Sequence, residues 1–211
     1  MVDNKEIILF SGGVDSAVLL KWLLVNTNKD YLVIFINLQD INIQEKRVEK
    51  LIKIFKTKFR DFEFIKMKFH IKTDKFFSDM VDHVILSLTG IMCFQRNLEN
   101  VWMGHFSYCS FHHYQFNNKI DQFWYNGELP PFLESFSKAI NSSINSSIKP
   151  KLKLPSQVYQ GTHLDSFVSK KMAYDYLDKE IQKYVRSCYM KEYDFCGTCY
   201  KCKQYKLFGI Q

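Results

Sequence analysis

The chain has little glycine and proline and no long apolar run. Of its 211 residues, 8 are glycine and 4 are proline, while 46% are apolar and 24% are charged. This composition excludes collagen, low-complexity and disordered proteins, and it is ordinary for a globular domain. The longest apolar stretch, residues 84–94, is about half as long as a membrane-spanning helix. A chain of this length fits one medium domain, or one domain with a small appendage.

Cysteine is also scarce for a secreted protein. Six cysteines are few for a disulfide scaffold of this size. We also find no secretory signal peptide at the start of the sequence, since a basic segment, an apolar core and a cleavage site do not occur there in that order. We therefore expect a soluble, cytoplasmic protein with no membrane partner. The net charge of +7 suits anionic partners such as nucleotides, pyrophosphate or nucleic acid. The alternative is an AT-rich coding bias, because the lysines are scattered rather than clustered.

Apolar runs and helical periods alternate along the chain. Strands are predicted at residues 6–10, 31–36, 62–67, 101–103 and 151–154, of which the first two are buried and the third alternates. Helices are predicted at residues 16–25, 44–59, 76–94 with a break near Gly90, 131–140 and 166–184. Strands that alternate with helices predict an α/β fold with a parallel sheet and helices on both faces. We assign residues 1–184 to this domain and residues 185–211 to a tail packed on it.

A glycine pair joins the first predicted strand to the first helix, in the segment Ser11-Gly12-Gly13-Val14-Asp15-Ser16. A helix N-terminus offers backbone N–H groups and the positive end of the helix dipole to an anion, and glycine lets a phosphate approach closely. The hydroxyls of Ser11 and Ser16 can donate to phosphate, and Asp15 suits an Mg²⁺ ion that bridges to it. The alternative is a glycine turn with an N-capping serine. The Gly-Lys-Ser/Thr ending of a Walker A loop and the Rossmann dinucleotide glycines are both absent.

Four of the six cysteines lie close together near the end of the sequence, with the spacing C-x7-C-x2-C-x2-C. Four thiolates can complete a tetrahedral zinc site without an open position, so we predict a structural zinc that fixes the tail. The predicted ligands are Cys188, Cys196, Cys199 and Cys202. An iron–sulfur cluster and four unrelated thiols are the alternatives.

The glycine loop resembles that of the PP-loop ATP pyrophosphatases, whose signature is Ser-Gly-Gly-x-Asp-Ser. The resemblance implies a Rossmann-like fold of the HUP type and cleavage of ATP between the α and β phosphates. In that chemistry AMP is transferred to an oxygen of the acceptor, and a nucleophile then displaces it. Together with the tail, which reads Cys-Tyr and then Cys-Gly-x-Cys-x-x-Cys, the loop resembles the 7-cyano-7-deazaguanine synthases.

The resemblance to these synthases extends over most of the chain in order and spacing, including Phe35 and Gln39 after the second strand. It implies a homodimer that holds zinc on its four cysteines and uses ATP and Mg²⁺. The family converts 7-carboxy-7-deazaguanine and ammonia to 7-cyano-7-deazaguanine. The chain differs from the family at residues 80–82, which read Met-Val-Asp in place of Gly-Arg-Asn, and at residues 112–117. Alternative functions are adenylation of a tRNA base, a phage DNA base or a protein, and nucleotide binding by a non-catalytic partner.

The loop and the resemblance together give the predicted site. Asp15 and Ser16 are the predicted catalytic residues. The residues predicted to bind ATP and Mg²⁺ are Phe10, Ser11, Gly12, Gly13, Val14, Asp15, Ser16, Phe35, Asn37 and Gly104.

Several further residues are candidates for the same region. The carboxyl edge of a parallel sheet is where α/β proteins bind ligands, and the segment after the fourth strand carries His105, Cys109, His112 and His113. For the three histidines, substrate contact or proton transfer competes with a plain surface-loop role. Cys109 could be a nucleophile or a sulfur carrier. Lys170 and Lys171 could each contact a phosphate or remain solvated.

Overall fold

The computed structural model describes residues 5–37, 42–69, 78–104, 151–153, 170–185, 188, 196–198, 200–207 and 209–210. The strands are β1 (Glu6–Leu9), β2 (Tyr31–Asn37), β3 (Glu63–Lys68), β4 (Asn100–Met103) and β5 (Lys151–Lys153). The helices are α1 (Val14–Asn26), α2 (Asn42–Lys58), α3 (Ser78–Arg96), α4 (Lys170–Tyr176), α5 (Lys179–Gln182) and α6 (Tyr200–Leu207). All strand pairs are parallel, and the sheet order is β3-β2-β1-β4-β5. The predicted α/β class is confirmed, and this strand order is HUP-like.

Successive residues of the central strands pack on opposite faces of the sheet. Ile8 of β1 lies opposite Val33 of β2 and Trp102 of β4, and all three join the apolar cluster that includes residues of α1, α2 and α4 to α6. The neighbouring residues Ile7 and Leu32 join a second cluster with residues of α3. Because both faces are covered, β1 and β2 are continuous apolar runs rather than alternating ones.

A buried carboxylate joins β1 to β4 at the amino edge of the sheet. Glu6 is 2% exposed, accepts a hydrogen bond from Trp102 Nε1 at 2.7 Å and pairs with Lys29 Nζ at 2.7 Å. Burying a charge is costly unless it is paired and hydrogen-bonded, and Glu6 has both kinds of partner. This contact fixes β4 beside β1 and therefore positions the end of β4 at the opposite edge.

The elements predicted in the first 104 residues are confirmed to within two residues at each end. The predicted break near Gly90 is wrong, because α3 continues through this residue. Gly90 is buried, and the helix-propensity cost of a single glycine, about 1 kcal/mol, is small beside the packing of a long apolar helix. None of the helices in the described ranges is both long enough and apolar enough to span a membrane.

The predicted single helix at residues 166–184 is also wrong, because its described part divides into α4 and α5. Lys21 donates a hydrogen bond to the Tyr176 carbonyl at 2.7 Å and pairs with Asp178 at 3.1 Å. Asp178 has an extended backbone, with φ −61° and ψ 147°. The break is invisible in the sequence because buried Leu177 and Ile181 keep a helical spacing across it. The predicted helix at residues 131–140 lies outside the described residues.

Candidate functional site

The glycine loop lies at the carboxyl edge of the sheet, between the end of β1 and the start of α1. Gly12 has φ +76°, a conformation that favours glycine. A Cβ atom at this position would also lie 2.9 Å from Val48 Cγ2 of α2. Gly12 is therefore required both by its backbone conformation and by the close approach of α2.

Ser16 ties the loop together through its hydroxyl. Its Oγ accepts from the Ser11 N–H at 3.3 Å, lies 3.2 Å from Ser11 Oγ and donates to the Gly13 carbonyl at 3.1 Å. The Gly13 N–H donates in turn to Ser11 Oγ at 3.3 Å. Gly13 is the N-cap of α1, so the alternative of an N-capping serine does not apply. A glycine N-cap has no side chain with which to cover the N–H groups of the first helical turn.

Asp15 faces a lysine from the far end of the sequence. Lys170 Nζ of α4 lies 3.0 Å from Asp15 Oδ2, and both side chains are partly exposed. The neighbouring residue Lys171 instead pairs with Asp175 on the same helix. Of the two candidate lysines, the structure therefore places Lys170 at the loop and Lys171 on the protein surface.

Gly104, which directly follows β4, packs on the first turn of α1. A Cβ atom at Gly104 would lie 2.7 Å from Asp15 C, Ser16 Cα and Ser16 N. The structure thus brings Gly104 together with the loop residues, although they are far apart in sequence. A glycine here lets β4 approach the helix N-terminus closely enough to support it from the side.

The other predicted nucleotide residues lie deeper or further along the edge. Phe10 and Phe35 are 2% and 1% exposed and belong to the apolar cluster on the α1 face. Asn37, at the end of β2, is 1% exposed, and its side-chain nitrogen is 3.5 Å from Glu45 Oε2. Val14 is buried at the start of α1. Contact of these residues with a nucleotide stays a prediction.

A charged group that the sequence did not reveal lies at the start of α2, near Asn37 at the end of β2. Glu45 pairs with Lys66 Nζ of β3 at 2.5 Å and with Lys68 at 3.7 Å, and Lys66 also pairs with Glu49 at 2.7 Å. The hydrogen bond from Lys66 holds the pKa of Glu45 below its ordinary value. The hydrogen bond to Glu45 raises the pKa of Lys66. Glu45 and Glu49 share one helix face by their spacing, but nothing local predicts that β3 supplies their partners.

Three of the four predicted zinc ligands come together. The Sγ atoms of Cys188, Cys196 and Cys202 all lie within 4.8 Å of one another, and those of Cys196 and Cys202 are 3.8 Å apart. Two thiolates bound to one tetrahedral zinc at ~2.3 Å are separated by about 3.8 Å, whereas a disulfide requires ~2.05 Å. The three cysteines therefore fit a thiophilic metal ion. Cys199 lies outside the described residues.

A buried arginine, also missed from the sequence, borders the cysteine site. Arg47 of α2 is 2% exposed, and it donates a hydrogen bond to the Cys188 carbonyl at 2.6 Å. In the sequence it is one of many basic residues on a helix with an apolar stripe, and nothing local marks it as buried. The predicted residues Gln39, His105, Cys109, His112 and His113 lie outside the described residues.

Comparisons with known proteins identify no family. No family model matches the chain, and no curated protein matches it. Among solved structures, the chain is similar to the U34-tRNA thiolase NcsA from Methanococcus maripaludis with its [4Fe-4S] cluster, at 14% identity and a TM-score of 0.44. The match covers 74% of this chain and 52% of the thiolase chain, so the chain spans about half the length of that protein.

Proposed function

We propose that the chain is a PP-loop enzyme that cleaves ATP between the α and β phosphates and transfers AMP to an acceptor. The observation that carries this proposal is the loop from Ser11 to Ser16, which ends in a glycine-capped helix N-terminus at the carboxyl edge of the sheet. Helix N-termini bind phosphate, because the N–H groups and the positive end of the dipole both face the anion.

Charge at the loop also supports ATP as the ligand. A carboxylate next to a polyphosphate is repulsive unless a cation lies between them. Asp15 pairs with Lys170 at 3.0 Å. In the complex, Asp15 would hold an Mg²⁺ ion that bridges to phosphate oxygens, and Lys170 would contact the phosphates directly.

This chemistry suits an acceptor whose oxygen is a poor leaving group until AMP is attached to it. An acceptor oxygen attacks the α phosphorus, the bond between that phosphorus and the bridging oxygen breaks, and pyrophosphate leaves with the bonding electrons. The acceptor then carries AMP, which a nucleophile such as ammonia displaces. The loop contributes by neutralising the charge that builds up on the leaving pyrophosphate, and in many enzymes such electrostatic stabilisation accelerates the reaction more than any other effect.

For the acceptor we propose 7-carboxy-7-deazaguanine, with ammonia as the nucleophile. The first adenylation and displacement convert the carboxylate to an amide, and a second adenylation activates the amide oxygen for loss as AMP, leaving the nitrile. The support is the sequence resemblance, together with the cluster of Cys188, Cys196 and Cys202. A nucleic-acid acceptor is the second candidate, because the net charge of +7 permits one and residues 112–117 differ from the family's substrate segment.

The test is pyrophosphate release from Mg-ATP and ammonium by the zinc-loaded chain, with and without 7-carboxy-7-deazaguanine, and with products identified by mass spectrometry. A nitrile product with AMP supports the proposal in full. ATP binding without acceptor-dependent release would reject this acceptor, and tRNA, DNA and protein acceptors would be assayed next. Absence of ATP binding would contradict the PP-loop assignment itself.

Two adjacent lysines give a matched pair of variants for this assay. Lys170 pairs with Asp15 of the loop, and Lys171 pairs with Asp175 on the surface. We expect Lys170→Ala to lower the rate of pyrophosphate release by on the order of 100-fold, since it removes a charge that stabilises the leaving group. Lys171→Ala should leave the rate unchanged. Equal rates in the two variants would contradict the role proposed for Lys170.

A further inference from the structure

One turn of α2 contacts both the glycine loop and the cysteine site. Gln44 Nε2 donates to the Ser11 carbonyl at 3.2 Å, and Val48 packs on Gly12 so closely that a Cβ atom there would overlap it. Between these two residues, Arg47 donates to the Cys188 carbonyl at 2.6 Å. If Cys188 moves, the carbonyl that accepts the hydrogen bond from Arg47 moves with it. Arg47 lies on the same turn of α2 as Gln44 and Val48, which contact the loop.

A second path joins the same two sites through α6. Cys202 and Tyr205 lie one turn apart on this helix, and both are buried. The ring centroid of Tyr205 is 6.0 Å from Lys170 Nζ, within the range of a cation–π contact. Lys170 is in turn 3.0 Å from Asp15 of the loop. Helix α6 thus supplies both Cys202 of the cysteine site and the Tyr205 ring beside Lys170.

We propose that these contacts couple metal binding at the cysteine site to polyphosphate binding at the loop. A thiophilic ion held by Cys188, Cys196 and Cys202 fixes the segment that anchors Arg47 and the helix that positions Tyr205. The ion therefore stabilises the arrangement of α2 and Lys170 that the loop requires for ATP. This inference rests on the proposed function only in taking ATP as the ligand of the loop.

Coupling of this kind is reciprocal and measurable as a ratio of affinities. If zinc raises the affinity for ATP by some factor, ATP must raise the affinity for zinc by the same factor. Couplings between protein sites are typically about 5- to 150-fold. With two short paths between the sites, we expect a factor of about 10 or more.

The experiment measures Mg-ATP affinity by calorimetry on the full chain, zinc-loaded and zinc-stripped, with zinc content from mass spectrometry and folding from circular dichroism. We expect the Kd for Mg-ATP to rise about 10-fold when zinc is removed and to recover when zinc is returned. Equal affinities in the two forms would overturn the coupling and leave the ATP site intact. No ATP binding in either form would overturn both the coupling and the proposed function.

Because zinc removal can unfold the tail, a second test keeps the zinc in place. Arg47→Met retains the bulk of the side chain but cannot donate to the Cys188 carbonyl. Lys50→Met, on an exposed position of the same helix, is the control. At equal zinc content we expect Arg47→Met to bind Mg-ATP more weakly and to lose the effect of ATP on zinc affinity, measured by competition with a chromophoric chelator. If Arg47→Met binds Mg-ATP as tightly as the wild type does, and ATP raises its zinc affinity by the same factor, the proposed role of α2 is overturned.

Discussion

The close approach of β4 to the first turn of α1 makes Gly104→Ala a sharp test of how the site is built. The added Cβ would lie 2.7 Å from three backbone atoms of Asp15 and Ser16, about 1 Å closer than a relaxed contact between heavy atoms. Backbone atoms cannot rotate away as a side chain can, and α1 is held by residues such as Ala17 and Val18, which are 0% exposed. The first turn of α1 and the segment at Gly104 must therefore move apart.

The expected cost follows from this overlap. Overpacking of a well-packed region by one methyl group costs about 1–3 kcal/mol, which lowers the melting temperature by about 2–4 °C per kcal/mol in a chain of this size. Displacing the N–H groups that would bind phosphate should weaken Mg-ATP binding by about 10-fold or more, since one hydrogen bond to a charged group contributes about 1.5–3 kcal/mol. Thermal denaturation and calorimetry measure the two effects.

A loss of stability alone could weaken binding, so a control that destabilises the fold away from the loop is needed. Ile181 lies in α5, is 0% exposed and forms none of the loop contacts described above. Ile181→Val should cost about 0.5–1.5 kcal/mol and leave the affinity for Mg-ATP unchanged. Wild-type stability and affinity in Gly104→Ala would refute the steric argument. Equal losses of affinity in both variants would show that the effect is not local to the loop.

Three further predictions concern cysteine chemistry and charge. Burial raises the pKa of the Cys93 thiol to about 12. Iodoacetamide at pH 8 should therefore spare Cys93 in the native chain and label it in urea, and peptide mass spectrometry measures the labelling. Rapid labelling of the native chain would contradict the burial of Cys93. Cys202→Ser should lower bound zinc from about one equivalent per chain, and unchanged zinc would place the metal elsewhere. Because Lys66 holds the pKa of Glu45 below 4.5, the ionised carboxylate stabilises the fold above that pH and loses its contribution as the pH falls through the lowered value. Glu45→Gln should therefore lower the free energy of unfolding by about 0.5–1 kcal/mol at pH 7 and by less near pH 3, as measured by urea titration. The same difference between wild type and variant at both pH values would contradict the pairing of Glu45 with Lys66.

Local patterns were enough to predict the part of the fold that carries the loop. β1 and β2 are short apolar runs bounded by polar residues, and the glycine pair that follows β1 marks the turn into α1. These features depend on residues within about ten positions of one another. The predicted break near Gly90 failed because the packing of α3 as a whole outweighs the cost of one glycine.

Contacts between distant segments could not be predicted in this way. Lys170 and Lys171 are equivalent in the sequence, yet about 100° of helix rotation separates them, and only Lys170 faces Asp15, which is 155 residues away. Arg47 meets Cys188 across 141 residues. Lys21 divides the predicted last helix through contacts near Asp178. Each of these contacts depends on how the layers pack, and no local periodicity encodes that.

The central claim is that the loop from Ser11 to Ser16 binds Mg-ATP through the helix N-terminus and Asp15. The most direct measurement is the affinity of the zinc-loaded chain for ATP with and without Mg²⁺, in the wild type and in Asp15→Asn. We expect Mg²⁺ to strengthen binding by the wild type, and Asp15→Asn to lose most of that enhancement because it removes the carboxylate that holds the ion. Absence of ATP binding, or the same enhancement by Mg²⁺ in Asp15→Asn, would contradict this account.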